Sequence, residues 1–510
     1  MKSEYLTRFN PQLEAGFKYL LDSAIVYSNA HHNHATTTTA AGHATLATGY
    51  FPSNNGITDN TVYNRALKYK HYSIEDTTVR FVGIESCGLN RVSAKPLLKN
   101  SLGDWVKKAD KKSKVYSVAL KDRASILMGG KNANRAFWFD AASTQMVSTD
   151  YYAETFPEWV KTYTAKDVMK ENIAKGWVLE QSFIKLPSTD IDSASYEKGN
   201  FLPWFPHTLA SFDVMRVSEN KEGSFMWNSP YGDAFVLNFA HQLIVNQKLG
   251  TDEHTDVLNI GLSAADVIGH HFGPHSYEVL DYYNKIDFEL NNFISKLNTT
   301  IGKDNYIIVL TADHGVAAMP EYLASRGIDA KRIQGDQFDA DLANINIKLK
   351  QKFGWTDDVI LKSNYSGVEP NMDVVKQNGI DSSEFIKALT GELEKLDYIA
   401  GAYSFMDVKD AACKKPFIEL VRHSHRDEFG YYIKLVPKEN YLIDMRATGT
   451  THGTPYAYDT HVPLIIKLPA DKSKTIDKKV YTVDIVPTVL DLLGISASEK
   501  FDGKSLATTF

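Results

Sequence analysis

Short, unbroken apolar runs rich in β-branched residues alternate with helix-spaced stretches along most of this chain. The runs cover residues 115–120, 235–239, 257–262, 306–310 and 462–468, the pattern expected of strands buried on both faces. Ahead of them, Leu13, Phe17, Leu20 and Leu21 recur at helical spacing behind Asn10 and Pro11, which predicts a helix over residues 10–22. In an alternating chain such a helix ordinarily follows a strand, and no strand pattern precedes it here. The alternation as a whole predicts an α/β fold: a mostly parallel sheet with helices on both faces.

Two stretches break the alternation. Residues 141–228 are aromatic and loop-like, with Trp159, Trp177, Trp204 and Trp227 among prolines and serines. Residues 320–440 carry their own helix pattern at 385–396 and further strand candidates. Both are expected to be insertions that cap one end of the sheet, within a single domain covering residues 1–510. Neither internal repeats nor low-complexity tracts interrupt that picture.

Composition narrows the function classes more than the fold. Among 510 residues, 56 Lys and Arg face 62 Asp and Glu, a net charge of −6, so the basic surface needed for binding a nucleic-acid backbone has no support. Two cysteines, Cys87 and Cys413, are too few for a disulfide framework or a thiolate zinc site. No apolar run approaches the roughly 18 residues of a membrane span, and the first 20 residues lack a signal-peptide core.

Reactive residues in open α/β sheets gather at the carboxyl ends of strands. The 257–262 run leads into Ser263-Ala264-Ala265-Asp266-Val267-Ile268-Gly269-His270, where Asp266 and His270 are spaced to share one helical face and one metal ion. The 306–310 run leads into Thr311-Ala312-Asp313-His314-Gly315, whose glycine permits a tight turn. Adjacent side chains diverge on regular backbone, which favours a neighbouring pair of ions at this turn. Just before the 462–468 run, His452 sits in Gly449-Thr450-Thr451-His452-Gly453-Thr454-Pro455. Two Asp and three His suit zinc, with manganese or iron less suited and calcium disfavoured.

A nucleophile candidate lies in Thr36-Thr37-Thr38-Thr39-Ala40-Ala41-Gly42-His43, where small residues let a helix N-terminus approach an anion. This stretch, with the later Thr48-Gly49, Pro52, Gly56-Ile57 and Asn60, resembles the nucleophile segment of the alkaline phosphatase superfamily. The branch is that of the nucleotide pyrophosphatase/phosphodiesterases and the phosphate-irrepressible (PafA-type) alkaline phosphatases. The resemblance makes Thr39 the nucleophile and Asn60 a phosphoryl contact. It assigns Asp266, His270 and His452 to one Zn2+, and Asp313, His314 and the Thr39 oxygen to a second.

Lys121-Asp122-Arg123, directly after the 115–120 run, resembles the monoesterase branch, in which that Lys and Arg bind phosphoryl oxygens. A monoester dianion carries an extra charge that a guanidinium fork and an ammonium can neutralise. The resemblance therefore implies a zinc-dependent phosphate monoester hydrolase working through a phosphothreonine, periplasmic or secreted, monomeric and acting on small phosphate monoesters. A phosphodiesterase would share every zinc ligand. The family also carries an aspartate ligand at the end of a first strand, which would fall just ahead of Met1. Its expected position makes a late start, a lost signal peptide and a catalytically impaired metal-binding truncation part of the same reading. His31-His32-Asn33-His34 reads as surface or supporting histidines, and Cys87-Gly88-Leu89-Asn90-Arg91 as a chance likeness to the sulfatase signature.

Overall fold

In a computed structural model, residues 1–84, 90–180, 192–197, 202–211 and 220–510 are described. Two five-stranded sheets form the body. The first runs Lys474–Ile476, Ile25–His31, His461–Lys467, Ile308–Thr311, with Val480–Tyr481 also paired to Ile25–His31. The second runs Phe81–Val82, Gln145–Thr149, Arg135–Asp140, Val115–Ala119, Val257–Gly261.

Side-chain alternation explains how both faces of these sheets are covered. Phe137, Phe139 and Ile465 enter one core, with the helices Gly16–Ser23, Pro230–Gln247 and Tyr277–Thr300. Trp138 points the other way, onto the helices Thr39–Thr48 and Asp122–Gly129. Leu464 and Ile466, flanking Ile465, pack with Ile485 and Val489 of Ile485–Leu492. Helices thus lie on both faces, as the alternation predicts. The sheets themselves are mixed. Val115–Ala119 pairs parallel with Arg135–Asp140 and Val257–Gly261, whereas His461–Lys467 runs antiparallel to both of its neighbours.

Two expectations need correction. Residues 235–239 lie inside the helix Pro230–Gln247 and form no strand. That helix is buried around most of its circumference, so its apolar positions fill the sequence without a 3.6-residue gap and mimic a buried strand. The helix predicted over 10–22 starts at Gly16 instead. The Asp287 carboxylate accepts the Ala15 and Phe17 N–H groups at 2.8 and 2.6 Å and sets the start there.

Residues 320–440 contribute a four-stranded sheet, Ile360–Asn364, Gly367–Pro370, Ile433–Pro437, Ile399–Ser404. It has its own core of Val368, Phe385, Leu389 and Leu435. The 141–228 stretch supplies short helices such as Lys170–Lys175 and Lys221–Trp227. One feature of the body sets the two sheets apart from a fully closed α/β layer. Among the described residues, Val257–Gly261 and Ile308–Thr311 each end a sheet and pair on one side only, and every residue of both stays partly exposed while Arg135–Asp140 is buried throughout.

Candidate active site

The helix Thr39–Thr48 begins at Thr39, with Thr38 extended before it. Thr36 to Thr38 are loop, so the threonine run is no strand. Thr39 itself is buried at the first helical position. The Asn60 side-chain oxygen accepts the Ala40 N–H at 2.8 Å, which leaves its amide N–H groups available to another acceptor. Gly42 lets the helix approach the end of Ile308–Thr311: a Cβ there would lie 2.2 Å from the Asp313 carbonyl oxygen.

The five expected metal ligands converge. Asp266 and His270, on the helix Ala264–Phe272, approach to 3.5 Å. Asp266 lies 3.3 Å from His452 Nε2 and 3.8 Å from His314 Nε2. Asp313 lies 3.2 Å from His314 Nε2, so the irregular turn brings this adjacent pair onto one point, where regular backbone would splay them. The tightest group, Asp266, His314 and His452, has its ligand atoms within 4.8 Å of one another and draws on both expected ligand sets.

The donor chemistry fits a metal. His270, His314 and His452 each donate Nδ1–H to a backbone carbonyl, of Thr450, Gly315 and Thr37, at 2.7, 2.8 and 2.7 Å. Each Nε2 is left as a lone-pair donor facing the cluster, the usual arrangement of a ligating imidazole. His314 Nε2 is buried without a hydrogen-bond partner. Burial pushes His270 down to about 3 in spite of Asp266, keeping it neutral. Burial raises the Asp266 carboxyl, yet the Lys121 ammonium outweighs it and holds it well below the ordinary range.

Phosphoryl candidates stand around this cluster. Buried Lys121 stands directly before the helix Asp122–Gly129 and donates to the Asp266 carboxylate. Arg123 Nη1 donates to the Tyr72 hydroxyl at 3.0 Å.

At Gly315 the backbone is not left-handed; a Cβ there would meet the Tyr458 carbonyl oxygen at 2.1 Å, so close approach is what excludes a side chain. Gly449 and Gly453, at φ 81 and 120°, do need glycine's freedom to shape the His452 loop. His32 bridges the Ala312 carbonyl and the Thr482 hydroxyl, each at 2.9 Å, and so braces the Asp313 turn. Cys87 to Leu89 lie outside the described residues, as do parts of the 141–228 stretch.

A family model described as type I phosphodiesterase / nucleotide pyrophosphatase matches residues 1–399. The chain belongs to that family. Within it, the chain is 30% identical to alkaline phosphatase PafA of Elizabethkingia meningoseptica, over 99% of this chain and 92% of that one. It is 31% identical to alkaline phosphatase PhoV of Synechococcus elongatus, over 99% and 90%. The crystal structure of wild-type PafA superposes with a TM-score of 0.91 at 29% identity, covering 99% of this chain and 96% of that one.

Several supporting residues of this phosphodiesterase-family site escape sequence reasoning. The Asp233 carboxylate accepts the Ser263 and Ala264 N–H groups at 2.8 and 2.9 Å and the Tyr282 hydroxyl at 2.6 Å. It thereby fixes the entry to the helix that carries Asp266. Asp459 accepts the Gly453 and Thr454 N–H groups at 3.0 and 2.9 Å and does the same for the His452 loop. His43 Nδ1 sits between the Thr39 carbonyl at 2.9 Å and Asp313 at 3.2 Å. Only His43 had a signal, its place in the nucleophile segment. Asp233 lies two residues ahead of the 235–239 apolar run, on the same helix Pro230–Gln247, and nothing in its spacing marks it.

Proposed function

We propose that the protein is a phosphate monoester hydrolase, an alkaline phosphatase, with Thr39 as its nucleophile. The observation that carries the reading is the placement of two cationic side chains, Lys121 and Arg123, on one helix start beside the Asp266 cluster. The names of the PafA and PhoV relatives agree with it. Two divalent ions, zinc by the N/O donor set, would be held by Asp266, His270 and His452 and by Asp313 and His314, supplying positive charge that lowers the Thr39 pKa and stabilises the leaving oxygen.

The chain's own residues do the rest. The Thr39 oxygen forms a bond to phosphorus as the ester P–O bond breaks, the alcohol leaves, and water then cleaves the phosphothreonine to phosphate. The Asn60 amide and the Lys121 and Arg123 cations hold the nonbridging oxygens, where positioning and charge stabilisation dominate phosphoryl transfer. The 320–440 sheet and the part of the 141–228 stretch that follows the body strand Gln145–Thr149 act as a cap within one domain. The protein works as a monomer, periplasmic or secreted; among the described residues no helix is long and apolar enough to cross a membrane.

Kinetics with 4-nitrophenyl phosphate, its methyl diester and its sulfate, at saturating zinc, test the proposal. The monoester is expected to be hydrolysed at least about a hundredfold faster, because Lys121 and Arg123 together match the extra charge of a dianion. Preference for the diester would overturn it in favour of a phosphodiesterase.

A further inference from the structure

The two halves of the phosphoryl clamp, Asn60 and Arg123, are far apart in sequence, and one hairpin ties them together. Asn60 runs directly into the strand Thr61–Asn64, which pairs with Tyr69–Tyr72 so that Thr61 faces Tyr72. At the same rung the Ser73 N–H donates to the Asn60 carbonyl at 3.0 Å. Tyr72 therefore sits at a position fixed relative to Asn60, and its hydroxyl reaches the other half of the clamp. It accepts from Arg123 Nη1 at 3.0 Å and donates to Asp122 at 2.7 Å.

The polarity of this relay is set by its members. An ionised Asp122 can only accept and a guanidinium can only donate, so the hydroxyl must pass its proton toward Asp122 and present its lone pair to Arg123. Arg123 has no direct hydrogen bond to Asp122, from which its Nη1 stands 3.8 Å away. Its Nε is buried without a partner. The Tyr72 hydroxyl is thus the group that fixes the rotation of a guanidinium whose other donors remain available to an anion. At its far end the hairpin is clasped by the four-stranded insertion: Tyr63 stacks on Tyr431 at 5.5 Å, Gly430 donates to the Tyr63 carbonyl at 2.9 Å, and Arg65 meets Glu369 at 3.4 Å.

We infer that Tyr72 is a positioning residue for Arg123: it holds the guanidinium in register with Asn60 for the second negative charge of a phosphate dianion. The inference rests on the proposed function for its substrate, and on geometry for the coupling. A diester, lacking that charge, gains less from the alignment.

A double-mutant cycle tests this, with Tyr72→Phe, Arg123→Ala and the pair in zinc-containing buffer. Tyr72→Phe keeps the ring and removes only the hydroxyl. Losing a hydrogen bond to a charged group is expected to lower kcat/KM for 4-nitrophenyl phosphate about tenfold, with the methyl diester changed by less than about twofold. In the Arg123→Ala background Tyr72→Phe should do nothing further. Calorimetric titration with inorganic phosphate should show the same coupling in the four proteins. Equal losses on both substrates, additive losses in the Arg123→Ala background, phosphate affinity that ignores Tyr72, or a Tyr72→Phe chain that does not fold would each overturn the inference. Wild-type protein that binds phosphate with the Tyr72–Arg123 coupling intact, but turns over no monoester, would instead sink the functional reading alone.

Discussion

Gly42 presses its bare Cα against the backbone of Asp313, so closely that a methyl group there would stand 2.2 Å from the carbonyl oxygen and 2.9 Å from the Asp313 Cα. Two backbones meet, and no side-chain rotation can relieve the clash. The contact sets how near the Thr39 helix comes to the turn that carries Asp313 and His314. Gly42→Ala should therefore cost about 1–3 kcal/mol of stability and, by moving Thr39 by a fraction of an ångström or more, about a hundredfold in kcat/KM. Thermal unfolding and kinetics on 4-nitrophenyl phosphate check this. Activity within about threefold of wild type would mean that the two elements can separate without consequence.

Much of the site was legible because its chemistry follows strands directly. Asp266, Asp313 and His314 come within a few residues of apolar runs that are strands, and residue type alone marks them as ligand donors. The supporting residues are not legible, because each acts on a backbone or side-chain group outside its own element, whether distant in sequence, as for Asp233 and Tyr72, or in the same loop region, as for Asp459. Asp233 serves Ser263, Asp459 serves Gly453, and Tyr72 serves Arg123, and no spacing in the sequence announces which side chain will fold against which. Burial erases periodicity in Pro230–Gln247, so its sequence carries a strand pattern. A distant carboxylate sets the start of Gly16–Ser23, where Asp287 accepts the Ala15 and Phe17 N–H groups, and no local signal announces it. The antiparallel course of His461–Lys467 leaves no mark on a fully buried, continuously apolar strand.

Asp233 gives stability a pH dependence of known sign. Burial pushes its carboxyl up to about 6, in spite of the three donors it accepts. An unfolded aspartate titrates near ~3.9. Between those values the folded chain keeps a proton that the unfolded chain has released, so this contribution is full below pH about 4 and is lost as pH rises to about 6. Asp233→Asn titrates in neither state. The unfolding free energy of wild type minus that of Asp233→Asn should thus fall by about 1–3 kcal/mol between pH 4 and 6.5. Urea denaturation in chelator at both pH values measures it; a difference that grows with pH would sink the idea.

The one-sided pairing of Val257–Gly261 and Ile308–Thr311 should show in amide exchange. Alternate N–H groups on a strand point to opposite sides, so those facing away from the single partner have no ladder bond among the described residues, whereas Val115–Ala119 is paired on both sides. Exchange at the outward amides is expected to be at least about tenfold faster than in Val115–Ala119. Mass-resolved hydrogen exchange on native protein reads both strands, and equal protection would show that something else covers those edges.

Thr39 is expected to carry the phosphoryl group, since it alone of the four threonines opens the helix whose next N–H is held by Asn60. Thr39→Ala should abolish the phosphoenzyme and cut turnover by at least about 10³-fold. Metal binding at Asp266, His270 and His452 should survive, because none of their hydrogen bonds runs through the Thr39 side chain. Thr37→Ala behaves differently: its hydroxyl donates to the Thr454 carbonyl at 2.9 Å, so its loss should cost about 1 kcal/mol of stability. Catalysis should change only through the His452 loop. Thr38 precedes the helix without capping it through its side chain, and Thr38→Ala should cost less than Thr39→Ala by at least about tenfold. Acid quenching during turnover followed by peptide mapping decides the register: phosphate on Thr38, or outside residues 36–39, would place the nucleophile elsewhere.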